Sequence, residues 1–223
     1  MRVKLVLPLF LCGLLTGCDK VIKPLMLGGV SSTVVRHDVA LVIGQSNNAR
    51  FEQYGEGAFA KDYQRFFPGS TIQFINCSVG GTAINQWQVD GPEMAACRFN
   101  GLKPTLILFY QGEADAYLKT GNWNEQFVSA VLGWRKLLGE LPVVYAQIAV
   151  EDPTLYCPQT DWDALQFQQT CVGLHNVRMI KTSDVSQLDP DPAIAQGVHL
   201  SPQSYVNIAE RYVEGLAQII NPE

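Results

Sequence analysis

The sequence predicts an α/β fold in which helices cover both faces of a central parallel sheet. Short apolar runs alternate along the chain with longer segments of helical spacing, which is the order of elements in such sheets. The 223 residues are 47% hydrophobic and 17% charged. This balance suits one domain with a sizeable core, and it excludes a disordered chain or a multi-span membrane protein.

Five runs rich in β-branched and aromatic residues predict the strands, because near-continuous apolar runs suit strands that are buried on both faces. They are residues 38–43, 71–75, 105–110, 143–148 and 177–182. Three longer segments carry apolar residues at three- and four-residue steps, which predicts helices. They are residues 123–138, 162–172 and 205–220.

Residues 1–17 have the layout of an export signal. Arg2 and Lys4 precede an apolar run that is shorter than the roughly 20 residues of a membrane-spanning helix. Leu-Thr-Gly-Cys at residues 15–18 resembles the lipobox of bacterial lipoproteins, which predicts that Cys18 is lipidated and becomes the mature N-terminus. The alternative is an ordinary cleaved signal followed by a chance cysteine.

The predicted organisation is therefore a signal peptide, a lipid-attached tether over residues 18–36 and one folded domain over residues 37–223. We expect the protein to be exported and anchored to a bacterial membrane, on its periplasmic face or at the cell surface. Asp19 resembles an inner-membrane retention signal, which applies only in a Gram-negative bacterium.

Composition also argues against some partners. The chain has 16 Lys and Arg against 21 Asp and Glu, for a formal net charge of −5. Nucleic acid is bound mainly through clustered positive charge, so we expect no nucleic-acid partner. The close CxxC or HxxxH spacing of a metal site does not occur, and we expect no metal.

Four cysteines remain in the predicted domain. An even number in an exported chain favours disulfides, and four cysteines allow three pairings. The pairs that are local in sequence, Cys77 with Cys97 and Cys157 with Cys171, are predicted. Buried free thiols are the alternative.

Polar clusters directly follow the first three predicted strands, at residues 44–48, 76–82 and 111–115. Because parallel strands end at the same edge of a sheet, these loops should meet there, where ligands bind in such folds. Of the three histidines, only His199 falls on that edge, in the loop before the last helix. One serine, Ser46, and one histidine can therefore meet, which favours nucleophilic ester or amide chemistry.

The residue types suit that chemistry. Gly44 allows a sharp turn that exposes Ser46 at a helix N-terminus, where a backbone N–H can face a developing oxyanion. Gly81 lets a carbonyl approach its N–H without meeting a Cβ atom. Gln111 offers an amide donor, whereas the carboxylate of Glu113 is better suited to orient neighbours or to accept a substrate hydroxyl.

Four motifs resemble the SGNH hydrolase superfamily, and within it the sialate O-acetylesterase-like and acetylxylan esterase-like carbohydrate esterases. They are Gly-Gln-Ser-Asn at residues 44–47, Gly-Gly-Thr-x-Ile-x-x-Trp at 80–87, Gln-Gly-Glu-x-Asp at 111–115 and Gly-Val-His-Leu-Ser at 197–201. The resemblance implies a three-layer α/β/α sandwich with about five parallel strands. It also implies removal of acetyl groups from sugar hydroxyls through an acyl-serine, without a cofactor or metal.

Carried over by position, Ser46 is the nucleophile and His199 the general base, with the N–H groups of Ser46 and Gly81 and the amide of Gln111 as oxyanion donors. The residues predicted to line the substrate site are Gln45, Asn47, Gly80 and Glu113. The expected partner is an O-acetylated sugar or polysaccharide.

One position departs from the family pattern, because Gln196 stands three residues before His199 where an aspartate is usual. An amide in place of the triad carboxylate costs a serine protease about 10⁴ in turnover. Asp191 or Asp189 could supply the carboxylate, a backbone carbonyl could orient the ring in a Ser/His dyad, or Gln196 itself could accept from the ring N–H.

Two other functions remain open. A lipase- or thioesterase-like acyl hydrolase would keep the chemistry but needs a long apolar groove. A sugar-binding surface lipoprotein would have lost the chemistry along with the aspartate. The aromatic residues Trp87 and Tyr117 could face a sugar, although packing of a loop on the core is the commoner fate, and we predict that role for Trp87.

Overall fold

The computed structural model describes residues 34–150 and 152–222, which form a three-layer α/β/α arrangement. All five strands are parallel and lie in the order β2-β1-β3-β4-β5. They are β1 (His37–Gly44), β2 (Thr71–Asn76), β3 (Leu106–Tyr110), β4 (Val143–Ala146) and β5 (Val177–Ile180). The predicted five-stranded parallel sheet is confirmed.

The strands β4 and β5 end two residues earlier than predicted. Beyond Ala146, the Gln147 N–H still donates to the Ile180 carbonyl of β5 over 3.0 Å, but side chains then take over as hydrogen-bond partners of the backbone. Thr182 Oγ1 donates to the Gln147 carbonyl over 2.7 Å, and Gln169 Oε1 accepts from the Ile148 N–H over 2.9 Å. The apolar pattern therefore continues past the last residues that pair as strands.

Eight α-helices occur in the described residues. They are α1 (Ser46–Tyr54), α2 (Glu56–Phe66), α3 (Pro92–Ala96), α4 (Glu113–Leu118), α5 (Trp123–Leu138), α6 (Gln159–Thr170), α7 (Pro192–Ala195) and α8 (Pro202–Ile220). Short 3₁₀ helices span Ile84–Trp87 and Pro153–Leu155.

The helices cover both faces of the sheet, as predicted. On one face, Phe109 of β3 packs on Phe127 of α5, with ring centroids 5.2 Å apart. On the other face, α8 packs so closely that a Cβ atom at Gly215 would lie 2.9 Å from the Val144 side chain. Successive strand residues point to opposite faces, so β3 and β4 are buried throughout.

The predicted boundaries are right for α5, whereas the predicted starts of α6 and α8 are three residues late. The predicted end is two residues late for α6 and right for α8. The α6 helix follows Pro158, and α8 has Pro202 in its first turn, where proline is well tolerated. Ser201 caps α8 by accepting from the Ser204 N–H over 3.2 Å. A helix that is predicted to begin at its first apolar residue lacks the non-apolar first turn that α6 and α8 both have.

One predicted disulfide is confirmed and the other is wrong. Cys77 and Cys97 are bonded, with their Cα atoms 5.4 Å apart. Cys157 is a buried free thiol and Cys171 an exposed one. The α6 helix runs between them for 12 residues, a length of about 18 Å, whereas a disulfide needs Cα atoms within about 7 Å.

The predicted signal peptide, the lipidated Cys18 and nearly all of the predicted tether fall in residues 1–33, outside the described part of the chain. In the described ranges, 34–150 and 152–222, none of the helices combines the length and the apolar character needed to cross a bilayer.

Candidate active site

The first and third predicted loops meet at the carboxyl edge of the sheet, where β1 turns into α1. Gly44 has φ +131°, and a Cβ atom there would lie 2.2 Å from the Tyr110 carbonyl oxygen at the end of β3. The next N–H, that of Gln45, donates to this carbonyl over 3.0 Å. Glycine is therefore required at the turn that presents Ser46.

The second loop lies against Ser46. Val79 N–H donates to the Gly44 carbonyl over 2.9 Å, and a Cβ atom built on Gly80 would lie 3.6 Å from Ser46 Cβ. Gly81 adopts φ +73° and is exposed. Ser46 itself is half-buried as the first residue of α1. Its hydroxyl and the two glycines therefore share one open surface.

Asn47, the residue after Ser46, holds residues 196–201, the loop between α7 and α8 that carries His199 and that we call the histidine loop. Its Nδ2 donates to the carbonyl of Val198 over 3.0 Å, and its Oδ1 accepts from the N–H of Leu200 over 3.3 Å. These two peptide groups flank His199. One fully buried side chain thus fixes both chain neighbours of the histidine beside the N-terminus of the helix that carries Ser46.

The ring of His199 is oriented by a backbone carbonyl. Its Nδ1 lies 2.6 Å from the carbonyl oxygen of Ile194. Because a carbonyl can only accept, Nδ1 carries the proton of the neutral ring and Nε2 is left with its lone pair. Of the three alternatives left open by Gln196, the ring contact fits the one in which a backbone carbonyl orients the imidazole. The backbone of Gln196 itself is left-handed, with φ +47°.

Asp191 was predicted as a catalytic carboxylate, and this assignment is corrected. Its Oδ1 accepts from the Ala193 N–H over 2.9 Å and caps α7, so it satisfies a helix N-terminus and does not orient the ring. Asp189 Oδ2 lies 3.5 Å from Arg50 Nη2. Both aspartates therefore shape the loop around His199 without reaching its ring.

Gln111 was predicted as an oxyanion donor, and the structure places its amide elsewhere. The side chain is fully buried. Its Nε2 donates to Asp115 and to the Thr82 carbonyl, and its Oε1 accepts from the indole N–H of Trp123 over 2.8 Å. The amide is thus committed to joining the second and third loops.

Three of the four predicted substrate-lining residues, Gln45, Asn47 and Glu113, are buried and serve as scaffold, which corrects those assignments. Gln45 Oε1 accepts from the Ala114 N–H over 3.1 Å at the start of α4. Gly80 alone of the four is exposed, beside Ser46.

Glu113 holds the side chain of Asn47 in place through a hydrogen bond. Its Oε1 accepts from Asn47 Nδ2 over 2.6 Å. Burial raises the pKa of Glu113 to about 7, the hydrogen bond from Asn47 opposes that rise, and the nearby Asp115 adds to it. The carboxyl group is therefore close to half-ionised near neutral pH.

Sequence reasoning located Ser46, Gly80, Gly81 and His199 on one edge, and the structure places them there. None of the hydrogen bonds of the described residues joins Ser46 Oγ to the His199 ring, and such contacts often tighten only when substrate binds. Trp87 is fully buried and donates to Thr82, so its predicted structural role is confirmed.

Within the described residues, groups of three or more His, Cys, Asp or Glu side chains that could hold a metal ion do not occur. Ser46 and His199 bring a hydroxyl and an imidazole to this edge, beside backbone N–H donors.

A family model described as carbohydrate esterase, sialic acid-specific acetylesterase, matches residues 45–218. The match covers most of the chain and all four motifs in part or whole, so the protein belongs to this family of carbohydrate esterases. The resemblance read from the motifs is confirmed. None of the curated proteins matches the chain.

Solved structures of similar fold include esterases of the SGNH type. A protein from Arabidopsis thaliana superposes with a TM-score of 0.63 at 17% identity, covering 82% of this chain and 96% of that one. A carbohydrate acetylesterase from Xanthomonas citri gives 0.62 at 16% identity, with 83% of this chain and 57% of that one covered. A family 3 carbohydrate esterase from Clostridium thermocellum gives 0.53 at 15% identity, with 83% and 98% covered.

Proposed function

We propose that this protein removes O-acetyl groups from carbohydrate through an acetyl-enzyme on Ser46, with His199 as the general base. The grip of Asn47 on both peptide neighbours of His199 carries this proposal. These hydrogen bonds hold the chain on both sides of His199 against Asn47, the residue next to Ser46. Asn47 and Leu200 are 153 positions apart in the sequence. Family membership supports ester hydrolysis.

In the first step, Ser46 Oγ attacks the acetyl carbonyl carbon while Nε2 of His199 takes the hydroxyl proton. The tetrahedral oxyanion accepts from the N–H groups of Ser46 and Gly81. The Ile194 carbonyl stabilises the imidazolium through Nδ1–H, in the place of a triad carboxylate. The intermediate then collapses, and His199 returns the proton to the departing sugar oxygen.

In the second step, water enters in place of the sugar. His199 removes a proton from the water as it attacks the acetyl-serine, and it then protonates Ser46 Oγ as acetate leaves. A neutral carbonyl stabilises the imidazolium less than an ionised aspartate does, so we expect modest turnover.

A short acyl group suits this surface better than a long one. Two surface depressions of the described residues lie away from the nucleophile, one beside α5 at Val128 and Lys136 and one beside Asn85 and Leu118. Neither is lined by Ser46 or His199. A long acyl chain needs an apolar groove that continues from the nucleophile.

The test is hydrolysis of 4-nitrophenyl acetate and octanoate by the purified protein and by Ser46→Ala, with Ser78→Ala on the neighbouring loop as the matched control. We expect acetate to be preferred and Ser46→Ala to lose about 10³-fold or more in kcat, while Ser78→Ala stays active. Preference for octanoate would favour the acyl-hydrolase alternative. A folded protein inactive on both esters would favour the sugar-binding alternative.

The substrate class is tested by acetate release from acetylated xylan, acetylated mannan and an O-acetylated sialic acid. Hydrolysis of 4-nitrophenyl acetate with no release from any of these glycans would contradict the carbohydrate assignment while leaving the Ser/His mechanism intact.

We also propose that the protein is exported and anchored through a lipid on Cys18. The Cys77–Cys97 disulfide supports an oxidising compartment. Cys18→Ser should move the protein from the membrane fraction to the soluble fraction, and an unchanged distribution would contradict the anchor.

A further inference from the structure

Two tyrosines beside the candidate site take no part in the chemistry proposed above. Tyr117 lies on α4 with 60% of its surface exposed, and Tyr156 is half-buried directly after the 3₁₀ helix Pro153–Leu155. Their ring centroids are 5.5 Å apart and their planes are inclined by 45°. Together they form an aromatic surface, which we call the tyrosine pair.

The tyrosine pair is attached to the candidate site from two sides. Tyr117 lies one helical turn after Glu113, so Tyr117 and Glu113 lie on the same side of α4. Glu113 in turn accepts a hydrogen bond from Asn47. On the other side, the segment that leads into Tyr156 packs on the histidine loop. A Cβ atom at Gly197, two residues before His199, would lie 3.0 Å from Leu155.

We propose that the tyrosine pair is a subsite that binds a pyranose ring of the substrate while the acetyl group reacts at Ser46. This inference rests on the proposed function. Aromatic rings present a flat apolar face that suits the C–H face of a pyranose, and the phenol oxygens can meet its hydroxyls. Leu155, 66% exposed, widens the apolar surface next to the pair.

The charges around the tyrosine pair favour an uncharged ring. Lys119, two residues after Tyr117, is paired with Asp161 at 3.1 Å, and Arg50 faces Asp189 at 3.5 Å. Asp152 and Asp191 add exposed negative charge on the adjoining loops. A sugar carboxylate would therefore meet carboxylates and cations that already have partners, so we propose a neutral acetylated glycan over a sialic acid.

The experiment compares kcat/KM for acetylated xylo-oligosaccharides with kcat/KM for ethyl acetate, which has no ring to stack. The ratio of the two should fall about three- to tenfold in Tyr117→Ala and in Tyr156→Ala. Tyr117→Phe and Tyr156→Phe, which keep the ring face, should hold the ratio within about twofold. Phe167→Ala is the matched control, because Phe167 is an aromatic residue that is 69% exposed on α6 and lies outside the tyrosine pair.

An unchanged ratio in both alanine variants would overturn the subsite, and so would an equal fall in Phe167→Ala. Faster hydrolysis of an O-acetylated sialic acid than of the neutral oligosaccharides would overturn its preference for an uncharged ring. Failure of the wild-type protein to hydrolyse ethyl acetate would instead count against the proposed function.

Discussion

The two edges of the sheet each hold a buried carboxylate, and the two carboxylates have opposite environments. Asp38 lies at the amino edge, at the start of β1, and Glu113 lies at the carboxyl edge beneath the candidate active site. Both are nearly inaccessible to water. The difference in their partners separates the part of the molecule that serves stability from the part that serves function.

Asp38 is surrounded by donors. Arg36 Nε donates to it over 2.7 Å and Thr105 Oγ1 over 2.7 Å, and the Tyr63 hydroxyl also donates. Burial alone raises the pKa of Asp38, but these hydrogen bonds and the Arg36 charge outweigh it, so the net pKa is lowered. The amino edge therefore holds a compensated ion.

Glu113 has one donor, Asn47, and its Oε2 meets no hydrogen-bond partner among the described residues. Burial raises its pKa to about 7, and the nearby Asp115 adds to the rise. A carboxyl group with this pKa is a cost to stability above neutral pH. At the carboxyl edge, the buried Glu113 therefore lowers the stability of the fold, but its hydrogen bond with Asn47 holds the side chain that fixes the histidine loop.

The largest expected effect is the loss of stability in Asp38→Asn. Removing one partner of a buried ion pair costs about 3–5 kcal/mol, and the partial exposure of Arg36 places this case near about 3 kcal/mol. Turnover of 4-nitrophenyl acetate by the folded variant should match wild type. Urea unfolding and kcat at 25 °C measure both, and an equal loss of kcat would contradict the division between the edges.

The same substitution should also change the response to acid. The folded-state pKa of Asp38 is lowered, so its contribution is present above the unfolded-state pKa and is lost as pH falls through the folded value. Asp38→Asn should therefore lose less stability than wild type between pH 5 and pH 3. Parallel curves for the two proteins would contradict the lowered pKa.

Removing the disulfide beside the active-site glycines should cost about 3 kcal/mol, because it closes a loop of about 20 residues. Cys77→Ser tests this cost by urea unfolding under oxidising conditions. The matched control is Cys171→Ser, which changes an exposed free thiol and should shift the free energy of unfolding by less than about 0.5 kcal/mol. Equal losses in the two variants would mean that Cys171 is also bonded.

Asn47→Ala should lower kcat by about 10²-fold with little change in KM, because misplacing a reacting group by about 1 Å costs that much. Asn48→Ala is the matched control. Asn48 is equally buried and donates to the Ile43 carbonyl over 2.8 Å, but none of its hydrogen bonds reaches the loop that carries His199. If both variants lose the same share of kcat, the hydrogen bonds of Asn47 to Val198 and Leu200 contribute to stability and do not position His199.

The smallest expected effect is a pH-dependent one in Glu113→Gln. The folded-state pKa is raised to about 7, so the unfolded chain ionises first and the wild-type free energy of unfolding falls as pH rises from about 4.5 to 7. The variant lacks this titration and should gain on wild type by on the order of 2 kcal/mol between pH 5 and 8.

Urea unfolding at pH 5, 6.5 and 8 measures this difference. Glu125→Gln, an exposed substitution on α5, serves as the control and should run parallel to wild type. A Glu113→Gln curve that also runs parallel to wild type would contradict the raised pKa.

The sequence predicts the sheet and its reactive edge well, because both depend on signals that every strand carries. Near-continuous apolar runs mark strands buried on both faces, and the end of each parallel strand fixes which loops meet. Ser46 and His199 could therefore be placed on one edge without any knowledge of their contacts.

The roles of the polar residues could not be predicted in the same way. Gln45, Asn47 and Gln111 have side chains typical of ligand sites, and only their burial and their hydrogen-bond partners show that they hold loops together. The contact of the Ile194 carbonyl with the His199 ring could not be predicted from the sequence either, because every residue has a backbone carbonyl. The wrong cysteine pair shows the same limit, because a 14-residue separation that looks local contains a rigid helix.

The most direct test of the account is covalent labelling with a serine-directed sulfonyl fluoride, followed by intact-mass measurement and peptide mapping. We predict one adduct, on Ser46, that forms in parallel with loss of esterase activity. It should form at the wild-type rate in Asp191→Ala and at least about 10²-fold more slowly in His199→Ala. An adduct on another residue, or one that forms equally fast without the imidazole, would contradict the pairing of Ser46 with His199.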